Sequence, residues 1–332
     1  MNKLPKITIL ATGGTIAGSA PSASQMTGYE AGAVGVEELI SAVPELGGIA
    51  AISGEQIANI DSKDMNGAVW LRLAQRCNEL LSGDTDGIVI THGTDTMEET
   101  AYFLHLTVHS AKTVVLVGAM RPATAISADG PLNLLNAVRT AASSEACGKG
   151  VLVVMNDEIY SARDVVKTST TNVDAFKAPL TGAIGEAAAG MVRFYKLPGC
   201  KHTVASQFDV SGLAAGKLPR VDIIYGYAGA DDLFINAAVN AGVRGIVYAG
   251  CGMGSIPECV EAALAAAVQR GVVVVRSTRV DHGLVAAGLA RWSEAGILHS
   301  GTLNPQKARV LLQLALTQSN DGAGIQKMFE EY

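Results

Sequence analysis

Short apolar runs alternate with stretches of helical period along much of the chain, and that alternation leaves few folds open. Residues 7–11 (ITILA), 86–91 (DGIVIT), 113–118 (TVVLVG) and 150–155 (GVLVVM) are rich in Val and Ile. Strands buried on both faces of a parallel sheet read in this continuous way. Between them, Val69, Leu73, Cys77 and Leu80 recur at helical spacing, as do Tyr102 and Leu106. Strand–helix alternation predicts an α/β fold with a mostly parallel sheet covered on both faces.

The alternation breaks once. Residues 196–220 hold two prolines, glycines and a Cys-Lys-His run without a strong period. It then resumes, with strands predicted at 221–225, 245–249 and 272–276 and helices near 232–241 and over 257–270. Asn304-Pro305 opens a last long helix, a cap residue followed by proline in the first turn. We therefore expect a large N-terminal α/β domain over 1–195, a linker over 196–218 and a smaller C-terminal α/β domain over 219–332. A chain of 332 residues is long enough for two such cores.

Composition excludes several classes. The net charge is −6 and no Lys/Arg cluster stands out, so no nucleic-acid partner is expected. No apolar run reaches the ~18–20 residues that span a bilayer, so no membrane partner is expected either. Residues 1–6 lead straight into a strand with no signal-peptide core, which predicts a cytoplasmic protein, with the periplasm as the alternative for a processed chain. The five cysteines are widely spaced, and neither they nor the six histidines show disulfide or zinc spacing. No metal is expected.

Four segments carry candidate chemistry. Residues 11–18 (ATGGTIAG) follow a strand directly, at the sheet edge where ligands bind in open α/β folds. The glycines match a P-loop in spacing, yet Ser19-Ala20 replace its Lys-Ser/Thr. Residues 19–35 are small, polar and Gly-rich, and predict a mobile loop and a candidate lid, with Tyr29 its only aromatic. Residues 91–100 (THGTDTMEET) also follow a strand. Thr96 with Glu99 has the form of a capping box, which puts Thr94 and Asp95 in the turn before the helix. His92 is read as a residue that orients this loop. After the strand ending at Gly118, backbone amides are candidates for an oxyanion hole, and Arg121 suits either a site or a structural role. Lys167, after Asn156-Asp157-Glu158, is a candidate partner for Asp95. The turn at 250–255 (GCGMGS) has Ser255 where a dinucleotide fold needs its third glycine, and no acid lies about 20 positions on.

At these motifs the chain resembles the bacterial type II L-asparaginases and glutaminase-asparaginases. The likeness runs through 12–18, 92–100, 118–134, 151–168 and 300–318 to Phe329-Glu330-Glu331-Tyr332. It implies the two-domain fold, a homotetramer whose sites lie between subunits, no cofactor, and hydrolysis of L-asparagine, with L-glutamine as a second substrate. By position it makes Thr15 the nucleophile, Tyr29 the lid tyrosine, and Thr94, Asp95 and Lys167 the second catalytic set. Ser62 would bind the substrate carboxylate, Ala119 would serve the oxyanion, and Ser255 would reach in from a neighbouring subunit.

Two positions depart from the pattern. Lys63 stands near the expected substrate ammonium, where the family has Gln or Glu, so its side chain is expected to turn toward Asp61, Asp64 or solvent. The acidic residue that a neighbour contributes has no convincing match, since residues 280–297 hold only Asp281 and Glu294. Two other readings stay open. One is the ammonia-donating subunit of a tRNA-dependent amidotransferase, which wants an additional N-terminal domain. The other is an amino-acid-binding module without catalysis, which Lys63 makes thinkable.

Overall fold

The structure is a computed structural model and describes residues 3–25, 28, 32–213 and 217–332. The chain divides into two compact units, Met1–Gly216 and Lys217–Tyr332.

In the first unit the strands are β1 (Lys6–Gly13), β2 (Ala51–Ile60), β3 (Gly87–Thr91), β4 (Thr113–Val117), β5 (Val151–Met155), β6 (Glu158–Ser161), β7 (Val166–Lys167), β8 (Phe176–Lys177), β9 (Gly185–Ala188) and β10 (Met191–Phe194). Its helices are α1 (Val36–Ser41), α2 (Gly67–Ser82), α3 (Met97–Thr107) and α4 (Gly130–Ala142). Eight strands form one sheet in the order β10-β9-β6-β5-β4-β3-β1-β2, and β7 pairs separately with β8. Strands β1 to β5 run parallel. The β5–β6, β6–β9 and β9–β10 pairs are antiparallel, so the sheet is mixed at one end. The turn from β5 to β6 is tight, with Asn156 and Asp157 both at positive φ (50° and 67°), where Asn and Asp are tolerated.

Side-chain parity explains the continuous apolar runs. Val89, Val115 and Val117 pack with Leu134, Ala137 and Val138 of α4 in one core. Ile88, Ile90, Val114 and Leu116 have the opposite parity and are equally buried, and α2 and α3 lie against the same sheet. Each such side chain withdrawn from water contributes roughly 1.5–3 kcal/mol. In α2 the buried stripe is Trp70, Leu73, Ala74, Cys77 and Leu81, while Val69 and Leu80 are half-buried. Trp70 stacks on Phe103 (centroids 5.1 Å apart) and donates Nε1–H to Thr100 Oγ1 at 2.8 Å, joining α2 to α3. The stretch beyond residue 196 is tied down: Ser206 Oγ donates to Leu106 O, and the buried Phe208 places its carbonyl 3.2 Å from His109 Nε2.

The second unit holds β11 (Val221–Tyr225), β12 (Gly245–Gly250), β13 (Val273–Thr278) and β14 (Leu298–His299), all parallel and in that order. Its helices are α5 (Leu233–Asn240), α6 (Glu258–Gln269), α7 (Ala290–Glu294), α8 (Pro305–Ala315) and α9 (Gly322–Glu331). Asn304 caps α8 as expected, its side chain accepting the Lys307 N–H at 2.9 Å.

Candidate active site

In the first unit the parallel strands run β2-β1-β3-β4-β5, the doubly wound order whose ligands bind outside the C-terminal ends at the β1/β3 switch point. The turns after β1, β3 and β4 carry three of the candidate segments, and the turn after β2 carries Ser62 and Lys63.

The turns after β1, β2 and β3 touch through backbone. Gly13 and Gly14 sit at φ +103° and +82°, a region that disfavours residues with a Cβ. Space excludes a side chain as well. A Cβ on Gly13 would lie 2.5 Å from Ile60 O, and one on Gly14 would lie 2.3 Å from Gly93 Cα. A Cβ on Gly93 would lie 2.6 Å from Ser62 Oγ. Thr12 Oγ1 donates to Thr91 O at 2.9 Å, pinning the end of β1 to the end of β3. Thr12 is thus a structural residue, and Thr15, buried in a single 3-10 turn (Thr15–Ala17), is the other hydroxyl of the segment.

Ser62 binds the β3 turn from beneath. Its Oγ accepts the Asp95 N–H at 3.2 Å, and its carbonyl accepts Thr96 Oγ1–H at 2.8 Å. This corrects the capping-box reading. Thr96 is the N-cap of α3, yet its hydroxyl makes no side-chain cap bond to the helix; it points instead to Ser62, donating to that residue's carbonyl. Lys167, on β7, donates Nζ–H to Thr94 Oγ1 at 2.8 Å and to Asp95 Oδ1 at 2.6 Å. Its N–H donates to Glu98 Oε2 at 2.8 Å. Four expected site residues, Ser62, Thr94, Asp95 and Lys167, therefore form one hydrogen-bonded group.

The β4 turn adds Ala119. Gly118 N–H donates to Met155 Sδ, and the Met120 and Arg121 amides donate to the Asp129 carboxylate at 2.9 and 3.0 Å. That narrows the oxyanion expectation from the run of amides to Ala119. Gly130 packs against both Ile16 and Ala119, joining this turn to the Thr15 turn. Arg121 donates to Ser127 O and Oγ and is structural.

Among the described residues, the ends of the loop expected to be mobile are bonded to neighbouring turns. Ala123 N bonds Gly18 O at 3.0 Å, Ile126 N bonds Ala23 O at 3.0 Å, and Gly32 N bonds Gly14 O at 3.2 Å. Tyr29, the expected lid tyrosine, lies outside the described residues. Lys63 turns to Asp61, with Nζ 2.6 Å from Oδ2 and its side chain 67% exposed. The hydrogen bond from Lys63 holds the Asp61 carboxyl below its ordinary range, and Asp61 in turn raises the lysine. His92 is fully buried, donates Nδ1–H to Gly93 O at 2.6 Å, and is pushed down to about 4 by burial. It serves the loop as a neutral ring.

In the second unit, Ser255 is exposed in the turn after β12, where it exchanges backbone bonds with Cys251. Asp281 and Glu294 are exposed. The unforeseen residue is Arg276, fully buried and surrounded by main-chain carbonyls. Its Nη atoms donate to Gly254 O (2.9 Å), Met253 O (3.3 Å), Ala286 O (2.5 Å) and Ala287 O (2.6 Å), and its guanidinium stacks on Trp292. Desolvation lowers its pKa. Only a cation interrupting an otherwise apolar strand could have signalled it. Among the described residues no group of three or more His, Cys, Asp or Glu could hold a metal ion, and no helix is long and apolar enough to cross a membrane.

Comparison with known proteins agrees with this layout. Residues 6–198 match the family model described as Asparaginase, N-terminal, and residues 220–329 match Glutaminase/Asparaginase C-terminal domain. The chain is 54% identical to L-asparaginase 2 of Bacillus subtilis (strain 168), covering 99% of this chain and 87% of that one. It is 46% identical to the glutaminase-asparaginase of Pseudomonas fluorescens biotype A, covering 99% and 91%. The solved structure of a probable cytoplasmic L-asparaginase from Campylobacter jejuni superposes with a TM-score of 0.97 at 51% identity, over 99% of this chain and 100% of that one. Matched by both domain models and at about half identity over nearly its full length, this chain belongs to the asparaginase family.

Proposed function

We propose that the protein hydrolyses L-asparagine to L-aspartate and ammonia, with L-glutamine as a second substrate, through an acyl-enzyme on Thr15. The observation that carries this reading is Lys167 Nζ bridging Thr94 Oγ1 and Asp95 Oδ1, the two residues lying in the turn after β3 as Thr15 lies in the turn after β1. A threonine hydroxyl is a weak nucleophile until a base draws off its proton. In the proposed sequence Thr15 Oγ attacks the side-chain amide carbon, and the carbonyl oxygen becomes an oxyanion beside Ala119. The C–N bond then breaks and the nitrogen leaves as ammonia, taking the proton released by the hydroxyl. Water attacks the ester, the new C–OH bond forms, the acyl C–Oγ bond breaks to release aspartate, and the proton given up by the water returns to Oγ. Thr94 passes these protons to Lys167, which acts in this reaction sequence as the neutral amine, and Lys167 returns them to the leaving nitrogen and to Oγ.

Substrate recognition follows from the same residues. Ser62 Oγ accepts from Asp95, which leaves its hydrogen to donate to the substrate carboxylate. Asp95, with 61% of its side chain exposed, offers negative charge to the substrate ammonium. Lys63, held by Asp61, stands outside this pocket. Tyr29 as lid, Ser255 as a contact from a neighbouring subunit and a homotetramer complete the proposal. A cytoplasmic location belongs to it too. The similar Campylobacter jejuni protein is described as a probable cytoplasmic L-asparaginase, and cell fractionation tests the location here.

The deciding experiment is ammonia release by the pure protein from asparagine and from glutamine. Release from asparagine, with a threonine ester trapped on Thr15 by rapid quench and mass spectrometry, is expected. Binding without release would favour the amino-acid-binding module. Release only in the presence of an acceptor complex would favour the amidotransferase subunit.

A further inference from the structure

We propose that Glu98 is a positioning residue for amide hydrolysis: its carboxylate holds the main-chain N–H of Lys167 and so sets where the lysine begins its reach to Thr94 and Asp95. The proposal rests on the role given to Lys167 above. Glu98 lies in the first turn of α3, two residues beyond the N-cap Thr96, and is 7% exposed. Its Oε2 lies 2.8 Å from the Lys167 nitrogen. The junction from Thr94 to Glu98 thus grips Lys167 twice. Thr94 and Asp95 take the Nζ end, at 2.8 and 2.6 Å, and Glu98 takes the main-chain end.

The strand itself gives that residue little support. β7 has two residues and pairs with β8 at Val166↔Lys177 and Lys167↔Phe176, with one further main-chain bond from Thr168 to Ala175 O. An isolated two-stranded hairpin is marginal support. Successive N–H groups along a strand point to opposite sides. Thr168 N–H turns inward to Ala175 O at 2.7 Å, and Lys167 N–H turns outward, to Glu98. A lysine stem has several rotatable bonds, so an anchored Cα is what converts its reach into one Nζ position. A carboxylate acceptor makes this anchor a charge-assisted hydrogen bond. Catalytic groups need placement within about 0.5 Å, and a misplacement of about 1 Å can cost on the order of 100-fold in rate.

A purely structural part for Glu98 is available, since acids in the first turn of a helix favour its dipole and Glu99 is another. That part would move the melting temperature and leave kcat and KM unchanged. The test compares two variants by steady-state ammonia release and thermal melting. Glu98→Gln keeps a carbonyl acceptor at the same reach, and kcat within threefold of the parent is expected. Glu98→Asp keeps the charge but withdraws the acceptor by one methylene, and kcat at least tenfold lower with KM for asparagine within threefold is expected. Should Glu98→Asp not fold, Glu98→Met, which fills the space without an acceptor, takes its place in the same comparison. Wild-type kcat in the shortened or acceptor-free variant, or an equal fall in Glu98→Gln, overturns the proposal. Lys167→Met is assayed alongside. If it keeps full activity, the role of Lys167 fails and the proposal with it; if it is inactive while Glu98→Asp retains wild-type kcat, only the proposal falls.

Discussion

Gly14 and Gly93 meet backbone to backbone, so closely that a Cβ on the first would lie 2.3 Å from the Cα of the second. Two strands and two candidate chemical segments are joined at that contact, with Ser62 packed against Gly93 as well. Gly14→Ala would add a clash with main chain to a residue at φ +82°. At φ +82°, ψ −173° a residue with a Cβ is strained by on the order of 1–3 kcal/mol, and overpacking adds a further ~1–3 kcal/mol. The expected outcome is a melting temperature lower by several degrees together with loss of asparagine hydrolysis. A variant as stable and active as the parent would mean that the two turns separate freely.

Thr12 and Thr15 should answer differently. Thr12→Val removes a hydrogen bond to Thr91 O and keeps the shape, so a stability loss of about 1 kcal/mol is expected, with kcat little changed. Thr15→Ala should melt with the parent and lose at least roughly 10³-fold in kcat, as residues acting in one catalytic unit do. Urea melts and kcat measured on both variants check the pair. A reversed pattern would move the nucleophile to Thr12.

Lys63→Gln should leave KM for asparagine within twofold at fixed pH and salt. The lysine is engaged by Asp61 and two-thirds of its side chain is in solvent, where an ion pair adds little. A tenfold fall in KM on this substitution would put the cation in the substrate site instead.

Acid should destabilise the fold in a window set partly by His92. Burial holds its pKa at about 4, below the ordinary value of 6.5. As pH falls below about 6.5 the unfolded chain takes up this proton and the folded chain refuses it, so stability declines until about pH 4, where the folded ring also charges. Stability from the neutral ring is therefore complete above about pH 6.5. The full decline amounts to about 3 kcal/mol for this ring, and His202 and His299 are also shifted downward, adding to it. Chemical denaturation from pH 7 to 4 should show a shallower slope in His92→Gln. An unchanged slope would take His92 out of the account.

Where the apolar pattern is strong, the fold can be read directly. Strands β3, β4, β5, β11 and β12 lie within about a residue of their expected positions, because apolar residues dominate where a strand is buried on both faces. β2 carries Ser53, Glu55, Gln56 and Asn59 on the sheet edge, with Ile57 its one buried hydrophobic, so its pattern gives no warning of a strand. β6, β9 and β10 are equally hidden, being four-residue pieces held by tight turns. In the candidate site, a hydroxyl and a carboxylate beside the end of β3 single out Thr94 and Asp95 from the residues themselves, whereas Thr15 and Lys167 take their expected roles from the family resemblance. Glu98 does not announce itself, since a Glu in a first helical turn looks like a dipole partner. Thr96 misleads for a related reason: its partner Ser62 is 34 residues away, and a local capping rule cannot see it.

The guanidinium of Arg276 grips residues 253, 254, 286 and 287 only by their carbonyl oxygens. Main-chain oxygens are the same whatever side chain follows, so the clasp is blind to sequence at the positions it orders. Gly254 is the exception, since a Cβ there would lie 2.8 Å from Ser277 O. Residues 253, 286 and 287 can accordingly be randomised in a library while the path of both loops past Ser255 is retained. The exposed turns of the second unit can be rewritten without redesigning the scaffold that presents them.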